Sequence, residues 1–408
     1  MQCGLLGRKL SHSYSPQIHN SLADYSYSLY EVEPDNLEEF FHNTPFTGIN
    51  VTIPYKIAVI PYCTELSACA QKLGAVNTIV RRPDGSLIGH NTDYFGFQSM
   101  LQKSGLSVAG KKVLVLGSGG ASATVVAVLR ELYALPIVIS RTGENNYDNL
   151  HLHADASVIV NATPVGMFPN VENAPIDLHA FPKLEGVLDL IYNPARTKLL
   201  LQAEQMGLAT ENGLWMLVAQ AKESSEWFTG NSIDDAMIAK IHVKLRLQME
   251  NLILVGMPGC GKSTVGRILA EKLQKTFVDA DAEIVNTAGI SIPQIFETAG
   301  EAGFRKIEAQ VLEQLGKRSG LVIATGGGCV TREENYPHLH RNGTIVWLKR
   351  DLDLLPTDGR PLSKAGELDK MFSNRKPLYE KFADFSIEND LDPESTADKI
   401  ISALSLEV

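Results

Sequence analysis

Hydrophobic residues in the first part of the chain fall into short runs that glycines and polar residues separate. Residues 112–116 form one such run, which ends in glycines, and residues 121–132 then show helical spacing. Runs of similar length follow at 136–140, 157–160 and 186–190. Short apolar strands that alternate with helices are typical of a parallel sheet with right-handed crossovers, so the pattern predicts an α/β fold.

A second series of the same kind follows a predicted helix at residues 232–248. The predicted strands of this series are 251–255, 276–278, 321–324 and 344–348, and its predicted helices are 264–274 and 304–318. No Gly/Ser-rich linker separates the two series. We place the main boundary near residue 248, because Met249 stands immediately before the second series.

Length and composition agree with a globular protein of several domains. The chain has 408 residues, of which 44% are hydrophobic and 21% charged, and this length predicts two to four domains. The net charge is −10, and it is spread evenly, with 18 basic and 23 acidic residues in 1–248 and 19 and 24 in 249–408. We therefore expect no nucleic-acid partner, and anionic ligands must be held by local donors.

Cysteines and apolar segments bear on the compartment. The five cysteines are odd in number and include no C-x-x-C pair, which disfavours a zinc site or a disulfide framework. The N-terminus lacks the pattern of a signal peptide, and no apolar run is long enough to span a membrane. The sequence therefore predicts a reducing cytoplasm as the compartment, and it does not indicate an oligomeric state.

A phosphate-binding motif opens the second series. Gly256–Ser263 reads G-x-x-x-x-G-K-S and lies between a predicted strand and a predicted helix. Its glycines let consecutive backbone N–H groups surround phosphate oxygens, while Lys262 would reach the β- and γ-phosphates and Ser263 would bind Mg²⁺. The predicted ATP-binding residues of this loop are Gly259, Cys260, Gly261, Lys262, Ser263 and Thr264.

Three further features follow this motif in order. Asp279 and Asp281 come at the end of the next strand, Arg305 opens a helix, and Gly326–Gly328 follow a third strand. Each could be an ordinary turn or surface residue. Taken together over residues 250 to about 403, they resemble the shikimate kinase family. The resemblance implies a P-loop domain with a parallel sheet that transfers phosphate from ATP to shikimate.

The resemblance also assigns roles around the substrate. Asp279 would assist Mg²⁺ through water, and Asp281 would bind the shikimate hydroxyls next to the attacking one, which makes it catalytic together with the loop lysine. Gly327 would add a backbone contact. Arg305 and Arg375 would clamp the carboxylate, which suits a planar guanidinium.

One arginine of a lid completes the implied kinase site. Arg360 matches the family's lid arginine, which contacts the phosphates of ATP, and lid closure would exclude water. The segment before it is shorter than expected, and Pro356 stands where the family often has an arginine near adenine. We expect this departure from the family pattern to affect the affinity for the nucleotide rather than the phosphate chemistry.

The first series contains a dinucleotide-type turn. Gly117–Ser122 reads G-x-G-x-x-S, follows strand 112–116 and opens a helix. The next strand ends in Ser140, Arg141 and Thr142 rather than in an acidic residue. An arginine there attracts a 2′-phosphate, so NADP(H) is the predicted cofactor. The predicted cofactor contacts are Gly117, Ser118, Gly119, Gly120, Ala121, Ser140, Arg141 and Thr142.

Polar segments elsewhere in the first half identify a second family. Four segments that are rich in hydroxyl, amide and charged side chains are Ser11–Asn20, Asn50–Lys56, Gly74–Thr78 and Asn91–Gly96. Later segments of the same kind are Asn161–Met167, Asp189–Tyr192 and Asn212–Gln220. Over about residues 1–248, the set resembles the shikimate dehydrogenase family. The resemblance implies a two-lobed dehydrogenase with a Rossmann-type NADP domain.

This resemblance again implies roles by position. Lys56 and Asp93 would form the catalytic pair near the substrate ketone, with the lysine as proton donor, and Gly213 would contact the cofactor. The implied carboxylate ligands are Ser13, Ser15 and Tyr192. The implied partners of the ring hydroxyls are Asn50, Thr52, Asn77 and Gln220.

The two resemblances together predict a bifunctional enzyme. The first half would reduce 3-dehydroshikimate with NADPH, and the second would phosphorylate the resulting shikimate with ATP and Mg²⁺. The expected domains are 1–100 with 214–248 for substrate, 101–213 for NADP, and 249–408 for the kinase.

Two alternatives stay open. Residues 143–148 lack a second arginine and the segment up to Ala156 is short, so the first half could be a quinate/shikimate dehydrogenase with relaxed use of NAD. Alternatively, one half could be a decayed, regulatory nucleotide-binding module.

Overall fold

The computed structural model describes residues 1–10, 13–355, 367–389 and 392–406. The chain divides into two compact units. The first comprises Met1–Gly166, Glu172–Tyr192 and Gln202–His242, and the second comprises Met167–Val171, Asn193–Leu201 and Val243–Val408. In the described part of the chain, no helix is long and apolar enough to cross a membrane.

The first unit begins with a mixed sheet of six strands. The strands are β1 (Gln2–Gly7), β2 (Ser26–Glu31), β3 (Gly48–Val51), β4 (Glu65–Leu66), β5 (Thr78–Arg81) and β6 (Leu87–His90). Their order is β2-β1-β3-β5-β6-β4, and β5 runs antiparallel to β3 and β6. The accompanying helices are α1 (Ser15–Leu22), α2 (Leu37–Asn43), α3 (Ala68–Leu73) and α4 (Asp93–Lys103). Leu6, Ile49 and Ile79 lie in the core of this lobe.

A second, entirely parallel sheet follows in the first unit. Its strands are β7 (Lys112–Leu116), β8 (Leu135–Ile139), β9 (Val158–Asn161), β10 (Gly186–Asp189) and β11 (Ala209–Asn212). The order β11-β10-β9-β7-β8 is that of a doubly wound nucleotide-binding sheet. The helices of this part of the chain are α5 (Gly120–Glu131), α6 (Lys198–Gln205), α7 (Leu214–Thr229) and α8 (Ala236–Met249). Between β8 and β9 the crossover contains only a 3₁₀ segment, Tyr147–His153, in agreement with the short sequence there.

The second unit is built on a third parallel sheet. Its strands are β12 (Asn251–Val255), β13 (Thr276–Asp279), β14 (Leu321–Ala324), β15 (Gly343–Lys349) and β16 (Phe385–Glu388), in the order β13-β14-β12-β15-β16. Its helices are α9 (Lys262–Lys272), α10 (Ala280–Ala288), α11 (Ile292–Lys317), α12 (Asn335–His340), α13 (Glu367–Phe382) and α14 (Pro393–Leu406). All residues of the central strand β12 are buried, as expected for a parallel strand that helices cover on both faces.

The structure confirms the α/β fold class with parallel sheets and differs from the sequence pattern in particular elements. The predicted helix 304–318 starts earlier, at Ile292, and contains a break at Gly300, whose φ is +65°. Strand β16 and helices α13 and α14 had no counterpart in the pattern. The edge strand β16 alternates between exposed and partly buried residues, so it has no continuous apolar run.

Candidate active sites

Lys56 and Asp93 form a close ion pair in the first unit. Lys56 follows β3, and its Nζ donates to Asp93 Oδ2 at 2.6 Å. Asp93 is the first residue of α4, and its backbone N–H donates to Asn91 Oδ1 at 3.0 Å, which fixes the start of the helix. The Lys56 side chain is 29% exposed and that of Asp93 is 15% exposed. The amine is thus oriented by a carboxylate and still reaches solvent.

A buried network of amides and hydroxyls lies beside this pair. Asn77 Oδ1 accepts from the Thr92 backbone N–H at 2.8 Å, and Asn50 Nδ2 donates to Ser224 Oγ at 2.8 Å. Thr92 Oγ1 donates to Gln220 Oε1 at 3.3 Å. The network joins β3 and α7 to the residues that directly precede β5 and α4. It includes three of the predicted ligands of the ring hydroxyls, Asn50, Asn77 and Gln220. Thr92 and Ser224 had no assigned role in the sequence, where they lie 132 residues apart.

The predicted carboxylate ligands cluster around the start of α1. Ser13 Oγ accepts from the backbone N–H of Ser15 at 3.2 Å. Tyr14, between them, makes an edge-to-face contact with Tyr192, with 6.3 Å between ring centroids. Burial raises the pKa of Tyr192, and Tyr14 raises it further. The Tyr192 phenol therefore stays protonated and can donate to an anion. Thr52 is partly buried, and its backbone N–H donates to Leu6 O at 2.9 Å.

The glycine-rich turn after β7 opens α5. Gly117 has a φ of +102°, and a Cβ there would lie 2.9 Å from Thr163 Cγ2 and 3.1 Å from Ala162 O, so the position suits only glycine. No atom lies within 4 Å of a Cβ built on Gly119 or Gly120. The exposed residues of the turn are Ser118, Gly119, Gly120 and Ala121. The turn lies where β7 and β9 are neighbours, at the reversal of strand order, and its helix N-terminus can bind an anion.

The remaining predicted cofactor residues lie on two other loops. Arg141 and Thr142 are exposed after β8, and Ser140 donates its backbone N–H to Asn145 O at 3.1 Å, which closes a tight turn. Gly213 is buried between β11 and α7. A Cβ at Gly213 would overlap the carbonyl oxygen of Leu190. Gly213 therefore allows two backbone segments to approach each other closely.

The phosphate loop of the second unit wraps around its own lysine. Gly259 and Gly261 have φ values of +85° and +97°, a conformation that glycine adopts without strain. Lys262 is 8% exposed, and its Nζ donates to Gly256 O at 2.9 Å and to Met257 O at 3.0 Å. The ammonium group is thus held inside the loop, where phosphate oxygens would lie. Cys260, just before the start of α9, is buried, whereas Thr264, in the first turn of α9, is exposed.

Ser263 and the acidic end of β13 provide hard oxygen ligands. Ser263 Oγ donates to Asp279 Oδ2 at 2.8 Å. Asp279 also caps α10, because its Oδ1 accepts from the backbone N–H of Asp281 at 3.1 Å. A hydroxyl and a carboxylate next to a phosphate loop match the ligands that Mg²⁺ takes together with water and phosphate. These residues therefore fit a magnesium ion.

A buried ion pair lies close to Asp281 and Gly326 in this unit. Arg305 is 8% exposed and Glu308 is 1% exposed, and Arg305 Nη1 donates to Glu308 Oε2 at 2.6 Å. Burial alone would lower the pKa of Arg305, but the carboxylates of Glu308 and Glu301 raise it. A Cβ on Gly326 would lie 2.9 Å from Asp281 Oδ1 and 3.1 Å from Glu308 Oε1. Both acidic side chains therefore lie close to this glycine.

Arg375 joins the cluster from α13. Its Nη1 donates to Gly327 O at 3.2 Å, and Tyr379 Oη donates to the same oxygen at 2.6 Å. The structure thus brings Asp281, Arg305, Arg375 and Gly327 to one end of the sheet. The predicted lid residue Arg360 lies outside the described residues. Glu308 and Tyr379 had no assigned role in the sequence, although the i, i+3 spacing of Arg305 and Glu308 places both on one helix face.

Known protein families match both parts of the chain. The family model described as shikimate kinase matches residues 258–405, and the one described as shikimate dehydrogenase substrate binding domain matches residues 5–79. A shikimate dehydrogenase (NADP(+)) from Clostridium perfringens is 35% identical over 265 residues, which cover 60% of this chain and 97% of the relative.

Solved structures resemble the same part of the chain. Shikimate 5-dehydrogenase from Thermus thermophilus, in complex with NADP(H) and shikimate, has a TM-score of 0.54 and 30% identity, covering 59% of this chain and 98% of its own. Quinate dehydrogenase from Corynebacterium glutamicum, in complex with NAD, has a TM-score of 0.54 and 27% identity, covering 59% and 97%. The chain belongs to the shikimate dehydrogenase family and carries a shikimate kinase domain in its C-terminal part, so it is a bifunctional enzyme.

Proposed function

We propose that the chain catalyses two consecutive reactions, the NADPH-dependent reduction of 3-dehydroshikimate to shikimate and the ATP-dependent phosphorylation of shikimate on its 3-hydroxyl. The observation that carries the proposal is that both units gather polar and charged groups suited to the same kind of ligand, a carboxylate with several hydroxyls. The first unit offers hydroxyls and amides for it, and the second offers Arg305, Arg375 and Asp281.

In the first reaction, the chain's own residues bind the substrate and deliver a proton. NADPH, when bound, supplies the hydride that reduces the ketone. Ser13, Ser15 and Tyr192 bind the carboxylate. Lys56 donates a proton to the carbonyl oxygen as it gains negative charge, and Asp93, 2.6 Å from the amine, orients it. The lysine then recovers its proton from solvent, which its partly exposed side chain reaches.

Binding of the ring hydroxyls is assigned to the amide network. Asn77 and Gln220 meet at Thr92, directly before Asp93. Thr52 lies on the segment that carries the catalytic lysine. Asn50 is buried and supports the others through Ser224. The network therefore fixes the substrate ring relative to the proton donor.

In the second reaction, Asp281 accepts the proton of the 3-hydroxyl, whose oxygen attacks the γ-phosphorus of ATP while ADP leaves. Lys262 and the loop N–H groups stabilise the negative charge on the transferred group. Arg305 and Arg375 hold the carboxylate, with Gly327 nearby. Ser263, and Asp279 through water, would hold Mg²⁺, which would neutralise phosphate charge and orient the phosphates. The Ser263 hydroxyl and the Asp279 carboxylate are oxygen ligands of the kind that Mg²⁺ takes, which supports a magnesium ion at this site.

NADP(H) is proposed as the cofactor because Arg141 is exposed where the 2′-phosphate would lie. A specific observation supports a second candidate for this half, a quinate/shikimate dehydrogenase that also uses NAD. The crossover after β8 holds only a 3₁₀ segment and lacks a second arginine between residues 143 and 148. The ratio of kcat/KM with NADPH to that with NADH separates the candidates, and a preference for quinate with NAD would contradict our proposal.

The proposed domains are 1–100 with 214–248 for the dehydrogenase substrate, 101–213 for NADP and 249–408 for the kinase. The five cysteines are free thiols, which supports a reducing compartment such as the cytoplasm. The substrates are small molecules, and no nucleic acid takes part.

The decisive experiment uses one catalytic variant in each unit of the full-length chain. Lys56→Ala should lower reduction by at least about a hundredfold and leave phosphorylation of added shikimate unchanged. Lys262→Ala should do the reverse. Lys349→Gln, at a lysine outside both sites, is the control and should change neither activity. Loss of both activities in one folded variant would contradict two independent sites, and absence of either activity in the wild-type chain would support a decayed module.

A further inference from the structure

Arg350 lies at the carboxyl end of the third sheet, beside the phosphate loop. It directly follows β15, which pairs with β12 on one side and with β16 on the other. Trp347 is opposite Val255, the last residue of β12, and Lys349 is opposite Glu388, the last residue of β16. Arg350 therefore emerges between the loop that starts after Val255 and the segment that starts after Glu388.

The side chain of Arg350 reaches the second half of that loop. A Cβ built on Gly261 would lie 3.8 Å from Arg350 Nη1 and 2.5 Å from Asn389 Nδ2. Asn389 is 2% exposed, and its Nδ2 donates to Cys260 O at 2.6 Å, which holds the loop against β16. The Arg350 guanidinium therefore lies within a few ångströms of the start of α9, where backbone N–H groups can bind phosphate oxygens.

Among the described residues, the Nε donor of Arg350 lacks an acceptor. Its Nε is buried and has no hydrogen-bond partner, and in the described part of the chain it forms no ion pair, whereas its neighbour Lys349 lies 3.7 Å from Glu388 Oε1. A guanidinium is permanently charged and has five N–H donors, and buried donors of this kind are almost always paired. An unpaired cation beside a phosphate loop therefore points to an anionic acceptor that arrives with the ligand.

We infer that Arg350 binds a phosphate oxygen of the nucleotide held by the phosphate loop. This inference rests on the proposed kinase function and adds a residue that no motif singled out. Arg350 supplies a charge-assisted hydrogen bond from the strand side of the loop, while Lys262 is held inside the loop. Arg350 contacts a phosphate of the nucleotide and contacts neither the base nor shikimate. Its loss therefore weakens nucleotide binding and leaves shikimate binding intact.

The test compares Arg350→Gln, Arg350→Lys and the wild-type chain, with Lys349→Gln as the matched control, since it removes one positive charge at the adjacent residue. Saturating NADP⁺ is present throughout so that the dinucleotide site is closed to other nucleotides. Four quantities are measured: the KM for ATP and the KM for shikimate by kinetics, and the Kd for ADP and the Kd for inorganic tripolyphosphate by calorimetry.

We expect Arg350→Gln to raise the KM for ATP and both Kd values at least about tenfold, with an unchanged KM for shikimate. Arg350→Lys should recover part of this loss, and Lys349→Gln should match the wild type. Equal ADP affinity in Arg350→Gln and the wild type would overturn the inference, as would weaker ADP binding with unchanged tripolyphosphate binding, because the contact would then be to the nucleoside. A wild-type chain that binds neither probe would instead contradict the proposed kinase function.

Discussion

Replacing Glu308 by glutamine tests how the kinase unit holds its substrate clamp. Glu308 is 1% exposed and accepts a 2.6 Å hydrogen bond from Arg305, whose other acidic neighbour, Glu301, is exposed and 3.4 Å away. The variant Glu308→Gln keeps the shape of the side chain and removes its charge. Arg305 then loses its buried partner and keeps the exposed carboxylate of Glu301, 3.4 Å away, which solvent screens.

The expected cost follows from this burial. Removing one partner of a buried ion pair destabilises a protein by about 3–5 kcal/mol, because the remaining charge is uncompensated. For a unit of this size, such a loss lowers the Tm by roughly 10 °C. The guanidinium is also freed from its fixed orientation, so we expect the KM for shikimate to rise at least about tenfold, with no change in the KM for ATP.

The assay measures thermal unfolding and shikimate phosphorylation on the full-length chain. Glu313→Gln is the matched control, since Glu313 lies on the same helix and pairs with Lys317 at 2.6 Å, but both side chains are partly exposed. That pair should contribute less than about 0.5 kcal/mol. If Glu308→Gln and Glu313→Gln had the same Tm and the same KM for shikimate, our reasoning about the buried pair would be refuted.

Three further predictions concern single positions. In Gly213→Ala the new Cβ overlaps Leu190 O, so we expect loss of most dehydrogenase activity with kinase activity retained, and normal reduction by the variant would contradict this close approach. In Gly326→Ala the Cβ lies 2.9 Å from Asp281 Oδ1, so steady-state kinetics should show slower phosphorylation with a nearly unchanged KM for ATP; unaltered kcat would show that Asp281 is not displaced. Burial raises the pKa of Glu211 from 4.5 to about 7. The folded protein therefore binds more protons than the unfolded chain between these values, and the free energy of unfolding falls as pH rises through this range. Glu211→Gln should remove that fall in pH-dependent unfolding curves, whereas an identical slope in the variant would show that Glu211 does not cause it.

The elements that the sequence predicted well are those buried on both faces. Strands at 112–116 and 251–255 agree with β7 and β12 because central parallel strands consist of continuous apolar residues. Edge strands such as β16 carry alternating exposure and were not recognised. Helix α11 was placed too late because Gly300 and Gly303 interrupt its pattern.

The residues of the candidate sites also fall into two groups, those that a contiguous motif reveals and those that only the fold brings together. Motifs such as Gly256–Ser263 are contiguous, so their chemistry can be interpreted from spacing. Glu308 looks like a surface residue of a helix until packing shows that it is almost fully buried. Thr92 and Ser224 meet only because the chain folds over 132 residues, and Arg350 is next to the phosphate loop only because β15 pairs with β12. A local sequence pattern cannot reveal contacts between residues that lie so far apart in the chain.

The most direct test of the central claim is a single reaction in one vessel. The wild-type chain is incubated with 3-dehydroshikimate, NADPH, ATP and Mg²⁺, and the oxidation of NADPH, the release of ADP and the product mass are followed. Our account predicts that shikimate 3-phosphate forms, with one NADPH oxidised for each ADP released, and that ADP release stops when NADPH is omitted. Oxidation of NADPH without phosphate transfer, even after shikimate is added, would contradict it.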